Sequence, residues 1–314
     1  MTDSSSTVLE PDAYSYPRYL TAKETVDDRS LSERVWRDFL SELEALVGSP
    51  ARIVEVGAGT GATARRMAEA LPESATDAVD YTLVDVEADN LASARDQLLR
   101  WGEETGYDVW GTEDRVVLTG GETDFSFTLV EADLFDFAAT YDDAPADAVV
   151  GQAVFDLLDV PAALQELAPL LQTGGLWYLP IHFDGVTAFE PTVDPELDAQ
   201  IERLFHESMV DEEGGRKGAT AGRRLLVHLR RAGMQLLGAG ASDWVVLATG
   251  EEYPGDEAYF LHHILHFVES ELRGHPDVDE AAFEEWLHRR RQQIAEGTLI
   301  YIAHQLDVLA RKPE

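Results

Sequence analysis

The chain has 314 residues and a mass of 34.7 kDa, room for two domains or for one large domain with insertions at about 150 residues per domain. Hydrophobic residues make up 45% and aromatics 9%, globular usage that excludes wholesale disorder. Sixty acidic side chains against 24 basic ones give a formal net charge of −36, which argues against a nucleic-acid partner and against an anionic membrane surface.

No apolar run reaches the ~18 residues that a bilayer span needs, and residues 1–12 are Ser- and acid-rich, expected to fray and unlike a secretory signal. A cytoplasmic location is the expectation. Cysteine is absent, which removes disulfides, Cys-ligated zinc, iron–sulfur clusters and thiolate nucleophiles. Lysine occurs only as Lys23, Lys217 and Lys312. Acid excess spread along the chain with so little lysine resembles the proteins of salt-in halophiles, whose carboxylate shells repel in dilute buffer and are screened in molar salt.

Residues 13–29 form an aromatic-rich approach segment with Tyr14, Tyr16, Pro17, Arg18 and Tyr19. A helix is predicted from about Ser30 to Val47, because Leu31, Val35, Phe39, Leu43 and Leu46 recur at helical spacing. Ala51–Val56 reads as a buried strand, followed by the turn Gly57-Ala58-Gly59-Thr60-Gly61 and a helix over Ala62–Leu71. Tyr81–Asp85 is a second strand, with a helix over Asn90–Trp101 after it. Val116–Leu118 and Phe125–Val130 are strands about Gly120-Gly121. Ala146–Gly151 is a core strand, Val160–Leu171 a helix ended by Gly174-Gly175, and Leu176–Ile181 a strand. Helices follow at Asp198–Met209, Ala221–Ala232, Glu257–Leu272 and Glu280–Glu296, with extended segments at Met234–Leu237, Trp244–Ala248 and Thr298–His304.

Strands alternating with helices at this spacing specify an α/β fold with a doubly wound, mostly parallel sheet, whose ligand crevice lies at the carboxyl ends of the strands. The expected organisation is an N-terminal arm and helix over 1–50, a cofactor-binding core over 51–185, and helical additions with last strands over 186–314 that complete the same domain.

Glu55-Val56-Gly57-Ala58-Gly59-Thr60-Gly61 lies between a strand and a helix. Glycines there permit a sharp turn and close approach to a ligand, and the helix start adds unbonded N–H groups. The pattern suits a nucleoside-containing cofactor. Gly57, Gly59 and Ala62 also meet the dinucleotide fingerprint formally, so an NAD-dependent oxidoreductase stays open on the loop alone. Gly61, Glu55 two residues before the first glycine, and Asp133 in Glu131-Ala132-Asp133-Leu134 tilt the choice away from it.

With these residues in place, the segment from about Ile53 to Phe183 resembles the class I, Rossmann-like S-adenosylmethionine (SAM) methyltransferases. The resemblance implies SAM as cofactor, with Gly57, Ala58, Gly59 and Gly61 beneath its methionine and ribose. It implies Asp85 on the ribose hydroxyls, Asp133 on the adenine amino group with Leu134 flanking the ring, and Gln152 in a loop facing cofactor and substrate. Asp136 is the alternative to Asp133. The run after the fourth core strand is Gln152-Ala153-Val154-Phe155, where enzymes methylating DNA adenine or protein glutamine carry Asn/Asp-Pro-Pro-Tyr. A small-molecule acceptor is therefore expected. A silent SAM-binding protein is the further alternative.

A sulfonium donor is already activated, so the protein chiefly supplies proximity, with a general base needed only for an acceptor such as a hydroxyl. His182 is the candidate base or substrate contact with Asp184 as its orienting carboxylate; the competing reading is a solvated His beside a turn at Asp184-Gly185. The segment around Tyr14, Tyr19 and Lys23 is either a lid over the cofactor or a set of aromatics packed on the sheet. His262, His263 and His266 share a helix, but Leu261, Ile264, Leu265 and Phe267 around them favour packing over metal binding, and no metal is expected. Arg289–Arg291 read as a solvated face. Arg223 and Arg224 either contact an anionic acceptor or pair with carboxylates.

Overall fold

A computed structural model describes residues 10–11, 13–71, 76–211, 216–250 and 252–314. The stretch expected to fray, residues 1–12, lies almost wholly outside them. In chain order the elements begin α1 (Tyr16–Ala22), α2 (Glu24–Ser30), α3 (Glu33–Leu46), β1 (Ala51–Val56), α4 (Ala62–Ala70), β2 (Ala78–Asp85), α5 (Ala88–Thr105), β3 (Asp108–Gly111), β4 (Arg115–Thr119), β5 (Asp124–Glu131), α6 (Leu134–Thr140) and β6 (Ala146–Val150). They continue α7 (Val160–Leu167), β7 (Leu171–Glu190), α8 (Pro195–Ser208), β8 (Val210–Asp211), β9 (Arg216–Lys217), α9 (Ala221–Arg231), β10 (Gln235–Ala241), β11 (Trp244–Val246), α10 (Glu257–Leu272), α11 (Glu280–Ala295) and β12 (Ile300–Arg311).

The chain divides into two units. The larger comprises residues 31–184, 212–242 and 305–314. Its sheet runs β10-β12-β7-β6-β1-β2-β5-β4-β3. The pairs β1–β2, β1–β6, β2–β5 and β6–β7 are parallel, whereas β3–β4, β4–β5 and β10–β12 are antiparallel. This is the mostly parallel, doubly wound sheet expected. β1 is buried on both faces, as a central strand with helices on either side must be. Val35, Phe39 and Leu43 of α3 pack in one core with Ile53, Tyr81, Leu83 and Phe127. Val54, Val149 and Trp177 face the other core with Leu164 and Leu167 of α7 and Leu225 and Leu229 of α9.

The smaller unit comprises residues 1–30, 185–211 and 243–304. Its centre is α10, buried from Glu257 to Leu265. Buried Glu257 pairs with Arg29 and accepts from Thr25 Oγ1 at 2.7 Å. Buried Arg290 donates to Asp198 at 2.6 Å and to the Pro191 carbonyl at 2.8 Å. These are paired charges, the form in which an interior tolerates them.

Three segments depart from expectation. The aromatic approach segment is helical, α1 and α2, with Pro17 in the first turn of α1 where a missing N–H costs nothing. The glycines at 174 and 175 lie inside β7 and do not bound it; β7 also passes Asp184-Gly185 without ending. It does so with left-handed backbone at Ile181 (φ 57°), where the Ile181 N–H donates to Asp307 at 2.8 Å. β12 likewise continues beyond His304 to Arg311, because the buried Asp307 carboxylate is satisfied by that bond and by the Ser32 N–H at 2.8 Å.

Candidate functional site

The carboxyl ends of β6, β1, β2 and β5 stand side by side in the sheet. After β1, Gly57, Gly59 and Gly61 all take positive φ (65°, 53° and 81°), a backbone that L side chains with a Cβ resist. A Cβ on Gly57 would lie 2.8 Å from Val154 Cγ2, and one on Gly61 2.9 Å from Ala94 Cβ. The turn therefore needs glycine both for its twist and for its close packing. It delivers the chain to the start of α4.

Asp85 ends β2. Its Oδ2 accepts the Gly59 N–H at 2.7 Å, and its Oδ1 accepts the Glu87 N–H at 2.9 Å and Asn90 Nδ2 at 3.2 Å. Three of its roughly four acceptor sites are thus occupied by protein donors. Val86 follows with 61% of its surface exposed, an apolar wall beside a polar turn. Asp133 is exposed and caps α6, with Oδ1 accepting the Phe135 and Asp136 N–H groups at 2.8 and 3.3 Å. Leu134 next to it is buried.

Glu55 is buried below the glycine turn and accepts from Tyr81 Oη at 2.8 Å. Burial pushes its carboxyl up to about 7, against hydrogen bonds from Tyr81 and Thr63 that favour the anion. Gln152 Oε1 accepts from Thr63 Oγ1 at 3.2 Å and Arg66 Nη1 at 3.1 Å. Glu55 and Gln152 are therefore joined through α4. Thr63, Arg66, Tyr81, Asn90 and Val86 were not singled out by sequence reasoning; only the spacing of Thr63 and Arg66, three apart on α4, offered a signal.

Residues 54–179 match the family model described as a methyltransferase domain. This segment, 126 of the chain's 314 residues, is similar to a methyltransferase domain. Its cofactor is S-adenosyl-L-methionine, and the enzyme class is SAM-dependent methyltransferase. The half-buried glycine turn, the carboxylate at the end of β2 and the adjoining apolar surface fit a cofactor with a ribose and a flat base. No curated protein matches the chain. Among solved structures, a candidate methyltransferase from Bacillus halodurans is 14% identical, with 88% of this chain and 98% of that one covered and a TM-score of 0.48. A SAM-dependent methyltransferase from Geobacter sulfurreducens, in complex with S-adenosyl-L-homocysteine, is 12% identical, with 96% and 100% covered and a TM-score of 0.47.

Within the larger unit, the residues expected to do chemistry fare differently from the cofactor set. His182 is wholly buried. Its Nε2 accepts the Phe155 N–H at 3.2 Å and its Nδ1 lies 3.2 Å from the Leu179 carbonyl, which fixes the neutral Nδ1–H tautomer. Burial lowers its pKa to about 4. With both ring nitrogens committed to backbone, His182 is not the solvated His of the competing reading. Asp184 does not orient it. That carboxylate instead accepts the Arg223 N–H at 2.9 Å and Arg223 Nε at 2.8 Å.

In the smaller unit, Tyr19 is buried and stacks on His263 (4.6 Å) and Phe260 (5.7 Å), Tyr14 stacks on His266 (4.1 Å), and Lys23 pairs with Asp27 at 3.2 Å. The aromatics are packed. Burial lowers His262 and His263 to about 4, so both are neutral. Among the described residues no three His, Cys, Asp or Glu side chains gather so as to hold a metal ion, and no helix is long and apolar enough to cross a membrane.

Proposed function

We propose that this SAM-dependent methyltransferase acts on a small-molecule acceptor. The observation that carries the reading is the alignment of Gly57–Gly61, Asp85, Asp133 and Gln152 at four neighbouring strand ends. The glycine turn lies beneath the methionine and ribose. Asp85 takes a ribose hydroxyl at its remaining acceptor site, and Asp133 takes the adenine amino group. Val86 and Leu134 flank the ring. Gln152, held by Thr63 and Arg66, faces the methyl-donor end.

SAM supplies a methyl group on a sulfonium, already activated for in-line displacement. The chain's part is to hold donor and acceptor aligned and dry, which is where proximity yields most of its rate gain. Among the described residues His182 and Asp184 on β7 are both bonded within the protein, so an acceptor of intrinsic nucleophilicity suits the site better than an alcohol. The acidic surface and the Gln152-Ala153-Val154-Phe155 run support a small molecule over nucleic acid. Composition also supports a salt-rich cytoplasm.

The test is transfer of labelled methyl from SAM, in molar KCl, to three fractions: DNA, protein, and metabolites below about 1 kDa. Label in the metabolites is expected. Label confined to either macromolecule overturns the small-molecule reading.

A further inference from the structure

Residues 214–242 contain no acidic side chain, in a chain that has 60, yet they carry Arg216, Lys217, Arg223, Arg224, Arg230 and Arg231. Elsewhere arginines are interleaved with carboxylates one helical turn away, as in Arg65–Glu69 and Arg203–Glu207. On α9, Arg224, Arg230 and Arg231 make no ion pair among the described residues. Their charges are uncompensated enough that Arg231 and Arg224 add to burial in lowering the pKa of His228.

The first turn of α9 is fixed against β7 at His182 and Asp184. A Cβ on Gly222 would stand 2.8 Å from the His182 carbonyl oxygen and 3.1 Å from Asp184 Cβ. Arg223 grips Asp184 through its N–H, its Nε and its Nη2, the last donating to the Asp184 carbonyl at 2.9 Å. Its side chain nonetheless remains 60% exposed, and none of these bonds uses Nη1. Arg224, beside it, is exposed and bonds only Thr220 Oγ1, at 3.1 Å through Nε. Along the sheet from β2 to β1 to β6 to β7, the ribose carboxylate Asp85 stands at one end and this arginine pair at the other. The pair is therefore on the acceptor side.

We propose that the acceptor is an organic anion whose carboxylate or phosphate group is bound by Arg223 and Arg224. This rests on the methyltransferase reading and names the substrate class of that site. A chain of charge −36 repels anions at long range. An acid-free stretch at the strand ends reverses the sign where an anion must enter, and a guanidinium fork matches an oxyanion's geometry. Asp184 positions Arg223.

The full chain, loaded with S-adenosylhomocysteine at constant ionic strength, is titrated calorimetrically with sodium phosphate, with malonate and with neutral malonamide. Phosphate or malonate binds and malonamide does not; the tighter anion distinguishes a phosphate from a carboxylate acceptor. Arg224→Gln weakens that binding by about tenfold, as expected for losing a charge-assisted bond, and Arg224→Lys restores part of it. S-adenosylhomocysteine binds both variants as it binds the parent. Anion binding that survives Arg224→Gln unchanged, or no anion binding by cofactor-loaded protein, overturns the proposal and leaves the methyltransferase reading standing. Failure of the parent to bind S-adenosylhomocysteine strikes that reading itself.

Discussion

The backbone N–H of Gly59 donates to the carboxylate of Asp85 at 2.7 Å, tying the tip of the glycine turn to the end of the neighbouring strand. One side chain thus shapes the loop, and in the proposed function it also takes a ribose hydroxyl. Asp85→Asn keeps the size but replaces an ionised acceptor and puts a donor where the Gly59 N–H points. We expect S-adenosylhomocysteine affinity to fall by at least about tenfold, the effect of losing hydrogen bonds to a charged group, with the circular dichroism spectrum unchanged. Calorimetric titration checks it; an affinity equal to the parent's would remove Asp85 from the site.

Gly57→Ala tests the turn itself. The new Cβ would meet Val154 Cγ2 at 2.8 Å and sit at φ 65°. Strain of this kind costs about 1–3 kcal/mol. A lower unfolding midpoint and weaker cofactor binding are expected together, read by denaturant titration and calorimetry. Gly48→Ala, with nothing within 4 Å of its Cβ, is the control.

Glu55 gives a pH signature. Its pKa is about 7 in the folded chain against an ordinary carboxyl value of 4.5, so between those values the native state holds a proton that the unfolded chain has lost. Stability therefore falls as pH rises from about 4.5 to about 7, at most on the order of 3 kcal/mol in this contribution. Glu55→Gln mimics the protonated form. Urea unfolding at pH 5 and pH 8 should show the variant gaining on the parent at pH 8; an equal difference at both pH values would show that Glu55 ionises normally.

His182 carries the opposite sign. A native pKa near 4 means stability present above about 6.5 and lost as pH falls toward 4. His182→Ala leaves the Phe155 N–H without its acceptor and opens a cavity, a cost of about 3 kcal/mol. Denaturation curves should shift by that order, and the pH–rate profile should lack a limb belonging to an imidazole base. A variant of parental stability with turnover lost would restore His182 to the chemistry.

The contrast between Asp85 and His182 shows what was legible in the sequence. The glycine turn, the β2 carboxylate and the alternation of strands and helices are local patterns, and α4, β2, β5 and β6 lie within a few residues of their expected bounds. The burial of His182 was not legible, because its neighbours in sequence do not reveal that the Phe155 N–H and the Leu179 carbonyl bracket its ring. The length of β7 was missed for a similar reason. Gly174-Gly175 and Asp184-Gly185 look like stops, and Asp307, 126 residues beyond Ile181, supplies the bond that carries the strand onward. Thr63 and Arg66 were overlooked because an ordinary helix face gives no sign that Gln152 lies against it.

The central claim is the cofactor, and one titration tests it most directly: SAM, S-adenosylhomocysteine and NAD in parallel against the full chain in molar KCl. Micromolar binding of the first two, about −8 kcal/mol, with no heat from NAD, is the predicted result. Binding of NAD alone would contradict the account and leave only the sheet and its helices standing.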